Sequence, residues 1–194
     1  MKRAFVVALL GAESTGKTTL AGEIGKRLSE RDKNVAVVGE ALRDFCIEHE
    51  RTPRREEQAA IADEQTRRIE AAAASAQVVV ADTTALMIAV YSDFVFGDAS
   101  LYARAEAGQR RCDLTLLTAL DLPWQADGLQ RDGPHVREPV DALIRAALVR
   151  AGVPFETIAG IGATRLQAAL AAVDRHRAAA STQRGLRPRR PAAP

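Results

Sequence analysis

At 194 residues, with 47% hydrophobic and 27% charged content, the chain suits one globular domain with a sizeable core. No run approaches the roughly 18 apolar residues of a membrane span, and Cys46 and Cys112 lack metal-ligand spacing, which reads as reduced thiols of a cytoplasmic protein. The net charge of +2 hides an asymmetry: the last twenty residues hold six arginines and no acid, so the body keeps 21 basic against 25 acidic residues, a net of −4.

The first apolar run, "AFVVALL" (4–10), reads as a buried strand. It leads directly into "GAESTGKTTL", whose spacing G-x-x-x-x-G-K-T is that of a P-loop. Glycines there let the backbone curl with its N–H groups inward, and the helix that follows turns its N-terminal dipole toward the same point. The stretch Gly11, Glu13, Ser14, Thr15, Gly16, Lys17, Thr18 and Thr19 is therefore expected to hold the phosphates of ATP. Lys17 would reach the β- and γ-phosphates, and the Thr18 hydroxyl would be a ligand of Mg²⁺. Leu20, Ile24 and Leu28 recur at four-residue steps and predict a helix over 17–31.

A second strand is expected over 34–40, ending at Glu40, with Arg43 three residues on. A carboxylate at that place can take a proton from an attacking hydroxyl, with Arg43 neutralising charge or anchoring the acceptor. The spacing is equally that of a surface ion pair on a first helical turn, and residues alone leave the two readings level. The alanine-rich stretch 54–76 predicts a long helix. A third strand over 77–82 ends at Asp82, placed to hold Mg²⁺ beside Thr18, with the cap of the next helix as its alternative role.

Two segments interrupt the alternation of strands and helices. Residues 83–112 are helical and carry Tyr91, Phe94 and Phe96; residues 121–139 are polar, rich in Gly and Pro, and carry Trp124. Both leave carboxyl ends of strands, where open α/β sheets place their ligands. The aromatics could sandwich a flat ring. Arg131 and Arg137 are placed to close over ATP and spread charge at the transferring oxygens, whereas His135 between them reads as a solvated loop residue. The remaining strands are expected over 113–119 and 154–159, and helices over 141–152 and 162–176. The whole is an α/β three-layer P-loop NTPase domain with a five-stranded parallel sheet, of nucleoside- or nucleotide-kinase type. It is expected to span 1–174, followed by a basic, disordered tail over 175–194 that lacks aromatics for stacking on nucleic acid.

The stretches "GAESTGKTTL", "GEALRDF", "VVVADTT", "YSDFVFG", "DLTLLTALDLPWQADGLQRD" and "FETIAGIGATRLQAAL" together resemble one family, from about Ala4 to Val173. It is the kinase domain of the bifunctional bacterial NAD regulator NadR, a ribosylnicotinamide kinase. The resemblance implies transfer of phosphate from ATP, with Mg²⁺, to the 5′-hydroxyl of nicotinamide riboside, giving nicotinamide mononucleotide in NAD biosynthesis. It implies that Asp82 serves the metal or ribose, that Glu40 and Arg43 serve the acceptor, and that Trp124 and Asp127 belong to the segment closing on the nucleotides. The family commonly has D-T-D where this chain has Asp82, Thr83 and Thr84, and Gln130, followed by Arg131, stands where an Arg is usual. Other readings are a kinase for another nucleoside or vitamin alcohol, and a nucleotide-binding regulator, a slow NTPase whose bound state signals to a partner through the basic tail.

Overall fold

The computed structural model describes residues 3–32, 34–126 and 133–185. Five parallel strands form one sheet in the order β2-β3-β1-β4-β5: β1 (Phe5–Leu10), β2 (Val35–Val38), β3 (Val78–Asp82), β4 (Leu114–Thr118) and β5 (Glu156–Ile158). Every residue of β1, β3 and β4 is buried, as continuous apolar runs require when helices cover both faces. The edge strands are shorter and more exposed; Val37 of β2 is 48% exposed.

Alternation along β1 divides the core. Phe5, Val7 and Leu9 pack with Leu20, Ile24 and Leu28 of α1 (Lys17–Ser29) and with Ala169, Ala172 and Val173 of α7 (Gly162–Gly185). Leu10, with Leu117 of β4, faces the other side. There it meets Leu86 and Val90 of α4 (Ala85–Phe96), Ala105 of α5 (Tyr102–Gln109), and Val140, Ile144 and Leu148 of α6 (Arg137–Ala151). Next to these, α3 (Gln58–Ser75) places Ile69, Ala72 and Ala73 over Val6 and Val79. Finally α2 (Ala41–His49) docks through Ala41 on Ile61, Ala62 and Ile88.

Several boundaries move from their sequence expectation for identifiable reasons. The long helix expected from residue 54 opens with a 3-10 turn, Arg55–Glu57, because Glu57 folds back to accept from the backbone N–H of Arg54 at 2.7 Å. Helix α6 starts at Arg137 rather than 141, led in by a 3-10 turn with Pro134 at its start. Pro139 is tolerated in its first turn, where backbone N–H groups have no helical partner. Helix α6 ends, as expected, on a glycine: Gly152 has φ 64° and donates back to Leu148. Helix α7 continues past 174 to Gly185. Arg177 makes two 2.8 Å bonds to Asp32, Arg175 meets Glu156 at 2.6 Å, and Ala180 packs on the core, so the start of the expected tail is an ordered helix. Residues 186–194 lie outside the described residues.

Candidate active site

The register pairs Leu9 with Asp82 and Leu10 with Leu117, so the carboxyl ends of β1, β3 and β4 lie side by side. The P-loop leaves β1 at that edge. Gly11 has φ 154°, and a Cβ there would stand 2.0 Å from the Thr118 hydroxyl oxygen, so no other residue fits without displacing β4. That hydroxyl donates to Thr15 Oγ1 at 2.7 Å, tying the loop to the strand end. Gly16, at φ 73°, is the N-cap of α1, and Ser14 also takes a left-handed conformation, φ 55°. Lys17 Nζ lies across the loop and donates to Ala12 O at 2.8 Å, a position from which its ammonium can swing to an incoming phosphate.

A cavity of about 360 Å³ opens from this loop. Its phosphate end is lined by Glu13 to Thr19, with Thr18 and Thr19 exposed to it. Its other end is walled by Leu42, Arg43 and Cys46 from α2 and by Met87, Tyr91, Val95 and Phe96 from α4. Met87, Tyr91 and Val95 follow at four-residue steps, so one stripe of α4 faces the cavity. Arg55 pairs with Asp98 at 3.0 Å, linking the approach to α3 with the exit of α4.

Glu40 lines the same cavity, near enough to Lys17, Asp82 and Arg43 for their charges to act on it. It is the N-cap residue of α2, its side chain 15% exposed, with Arg43 Nε 3.8 Å from its Oε2. Burial pushes its carboxyl above the usual glutamate range; the Lys17 ammonium pulls it down, and Asp82 pushes it up again. Asp82 is 2% exposed at the end of β3, and its Oδ1 has no hydrogen-bond partner among the described residues. A buried carboxylate oxygen in that state suits a cation or its water.

Sequence reading did not single out what holds these carboxylates. Gln65 of α3, fully buried, accepts from Ala41 N at 2.7 Å and donates to Gly39 O and Thr83 O at 3.2 Å each. It therefore grips the backbone on both sides of Glu40 and immediately after Asp82. Thr83 has φ 79°, a conformation that costs a β-branched residue about 1–3 kcal/mol. Besides Gln65, the Thr83 N–H donating to Leu9 O at 3.1 Å holds it there. Arg165 of α7, 4% exposed, donates to Thr15 O, Gly160 O and Asp121, all at 2.9 Å, and braces the P-loop from behind. The clue to Gln65 is a polar residue in the apolar stripe Ile61, Gln65, Ile69; Arg165 interrupts the face of α7 that carries Ala169 and Ala172 in the same way.

The aromatics divide. Tyr91 and Phe96 line the cavity, whereas Phe94 packs into the core around α4 and α6. Trp124 does not line the cavity; its indole N–H donates to Glu13 Oε1 at 2.8 Å, and Gly133 N donates to the same oxygen at 3.1 Å. Glu13 thus anchors both Trp124 and Gly133 to the P-loop. Arg137 is buried and donates to Leu122 O at 2.9 Å, leaving Nε and Nη2 without partners among the described residues. His135 is exposed, and Asp127, Gln130 and Arg131 lie outside the described residues.

A five-stranded parallel sheet of this order, with a P-loop after β1 and an acidic residue ending β3, defines a P-loop nucleotide-binding domain of the kinase-like kind. The family model described as an AAA domain matches residues 6–165, and the chain belongs to that family. No curated protein sequence matches it. Two crystal structures of NadR are similar, one in complex with NAD and AMP-PNP (TM-score 0.70) and one with NR (0.73). Each is 19% identical, with 98% of this chain and 52% of that chain covered, so this chain spans about half their length. Thymidylate kinase from Ehrlichia chaffeensis has TM-score 0.60 at 13% identity, covering 84% of this chain and 90% of its own. Deoxyadenosine kinase from M. mycoides has 0.59 at 13%, covering 88% and 99%. At these identities the likeness is one of fold.

Proposed function

We propose that the protein transfers the γ-phosphate of ATP to a hydroxyl of a small molecule, with nicotinamide riboside as acceptor and nicotinamide mononucleotide as product, a cytoplasmic step of NAD biosynthesis. The observation that carries the reading is one cavity lined both by the P-loop and by apolar side chains of α2 and α4, with Glu40 on its wall. A nucleotide site alone has no use for the second compartment. Leu42, Met87, Tyr91 and Phe96 offer a flat ring apolar walls, and Glu40 stands where the hydroxyl attached to such a ring would meet a phosphate.

The residues present fit Mg²⁺: the exposed Thr18 hydroxyl at the head of α1 and the unpartnered Oδ1 of Asp82 are oxygen donors of the kind it takes. Bound there, it would neutralise charge on the phosphate oxygens. Among the described residues there is no cluster of three His, Cys, Asp or Glu, and a P-loop site does not need one, since phosphates complete the shell. The chain's own part begins with the N–H cradle between Gly11 and Thr19 and with Lys17, which hold the phosphates and neutralise them. Glu40 accepts the acceptor's hydroxyl proton as its oxygen bonds to the γ-phosphorus and the bond to the β–γ bridging oxygen breaks. Burial, which raises the proton affinity of Glu40, strengthens it as a proton acceptor. Arg137, with two guanidinium nitrogens unpartnered among the described residues, and Arg131 are the candidates to neutralise the leaving side.

The fold likeness to thymidylate and deoxyadenosine kinases supports a second acceptor class, another nucleoside. ADP formation measured against a panel of nucleosides and vitamin alcohols, nicotinamide riboside among them, tests both. Strong stimulation by one ribosyl acceptor is expected. A rate that no acceptor raises above the basal hydrolysis of ATP would remove the reading.

A further inference from the structure

Gln58 opens α3 at the cavity wall. It is 5% exposed, and its buried Oε1 has no hydrogen-bond partner among the described residues. Folded proteins rarely leave a buried side-chain carbonyl unpaired. The place is built, not loose. Glu57 is held by two 2.7 Å bonds from Arg51 and a third from Arg54 N, which fixes the turn that presents Gln58. It shares the cavity wall with the apolar side chains of Leu42, Pro53, Met87 and Tyr91 and with Thr52.

From this we infer that the acceptor substrate presents, on the edge of a flat ring, a hydrogen-bond donor beside an acceptor, and that Gln58 is the side chain that reads that edge. A primary amide offers one carbonyl and one NH₂, and rotating it by half a turn exchanges them, so it complements a carboxamide or an amino group next to a ring nitrogen. A carboxylate offers no donor at neutral pH and leaves the Gln58 carbonyl facing another acceptor. The inference rests on the reading of this cavity as the acceptor compartment. It goes further in naming the group that is recognised and the residue that does it. A pocket built to pair a buried polar group discriminates strongly against a ligand that leaves it unpaired.

The test compares nicotinamide riboside, its carboxylate analogue, the unsubstituted ribosyl pyridinium and cytidine. For each, kcat/KM is measured alongside equilibrium binding in the presence of AMP-PNP, for wild type, Gln58→Leu and Gln58→Glu. In wild type the carboxamide, or cytidine through its amino–ring-nitrogen edge, is expected to exceed the other two by about 10-fold or more. Gln58→Leu should lower kcat/KM for that compound by about 10- to 100-fold, mainly through KM, with the KM for ATP unchanged, bringing the ratio within about 3-fold. Gln58→Glu keeps an acceptor for the ligand's NH₂ and should fall between the two. Equal use of carboxamide and carboxylate by wild type overturns the inference without any variant needing to fold. A preference for the carboxylate does so too and points to Arg43 instead. Selectivity surviving in Gln58→Leu assigns the Oε1 a bound water and overturns it as well. If edge-bearing compounds bind through Gln58 but are never phosphorylated, the inference stands and the kinase reading falls. If all four are phosphorylated alike, the kinase reading stands and the inference falls.

Discussion

Replacing Glu40 by Gln keeps the size of the side chain and removes its capacity to take a proton. Turnover should fall by on the order of 10²–10⁴, with ATP affinity nearly unchanged, if the residue serves the acceptor as proposed and not the triphosphate. A loss of ATP affinity at full kcat would instead assign Glu40 to the metal and leave Asp82 as the better candidate base. Lys17→Ala should abolish turnover and weaken triphosphate binding without loss of fold, since the ammonium contributes charge rather than packing; near wild-type activity would take the P-loop out of the mechanism. Gln65→Leu acts one shell further out. It leaves Ala41 N, Gly39 O and Thr83 O without their partner, at about 1–3 kcal/mol for each buried group left unsatisfied. A lower Tm together with a kcat loss larger than any change in the KM for ATP is the expected pair of results. Neither Gln65 nor Gln58 is marked in the sequence by a motif. One meets partners 18 to 26 residues away, and the other is distinguished by a buried Oε1 with no partner among the described residues.

At the scale of elements, the parts written in short range were the legible ones. The apolar runs at 4–10, 77–82 and 113–119 became β1, β3 and β4 with ends shifted by one residue or none, because burial on both faces leaves an uninterrupted signature. The P-loop was equally plain, since its glycine spacing is set by backbone geometry that no other residue meets. The segment around Trp124 was less so. An indole in a crevice segment suits a stacking platform, but its N–H is taken by Glu13, 111 residues away. The basic end of the chain was hidden for a similar reason. Composition marks arginines as solvated, whereas Arg177 finds Asp32, whose carboxyl the Arg177 hydrogen bonds hold below its ordinary value. Arg177→Ala should therefore cost about 1 kcal/mol, the scale of a well-formed partly buried pair, and lower Tm by about 2–4 °C. Asp174→Ala, which removes the more exposed pair with Arg31, should move Tm less. Equal shifts from the two would mean that α7 beyond Val173 contributes no more than surface charge.

Across the whole molecule the two faces of the sheet carry separate core clusters, and ion pairs on the helices and turns outside them add a pH-dependent contribution to stability. Three carboxylates among these have proton affinities held down to about 2: Glu57 by Arg51, Glu64 by Arg67 and Arg68, and Asp98 by the Ser100 hydroxyl and backbone and then Arg55. Their ordinary values are 4.5, 4.5 and 3.8, so between those and about 2 the unfolded chain binds more protons than the folded one. The stability they contribute is complete above the ordinary values and is lost as pH falls through that window. Urea unfolding followed from pH 6 to pH 2 should show this decline, and Glu57→Gln should flatten part of it; an unchanged slope in the variant would mean that the Arg51 clamp is absent in solution. The central claim is that the γ-phosphate passes to a bound hydroxyl under the control of Glu40. The most direct measurement is a single-turnover reaction with γ-labelled ATP and nicotinamide riboside, in wild type and Glu40→Gln, with the label located in the products. The label is expected on the ribose 5′-oxygen of nicotinamide mononucleotide in wild type, with little transfer in the variant although ATP remains bound. Label appearing only as inorganic phosphate, at the same rate in both proteins and with or without the acceptor, would contradict it.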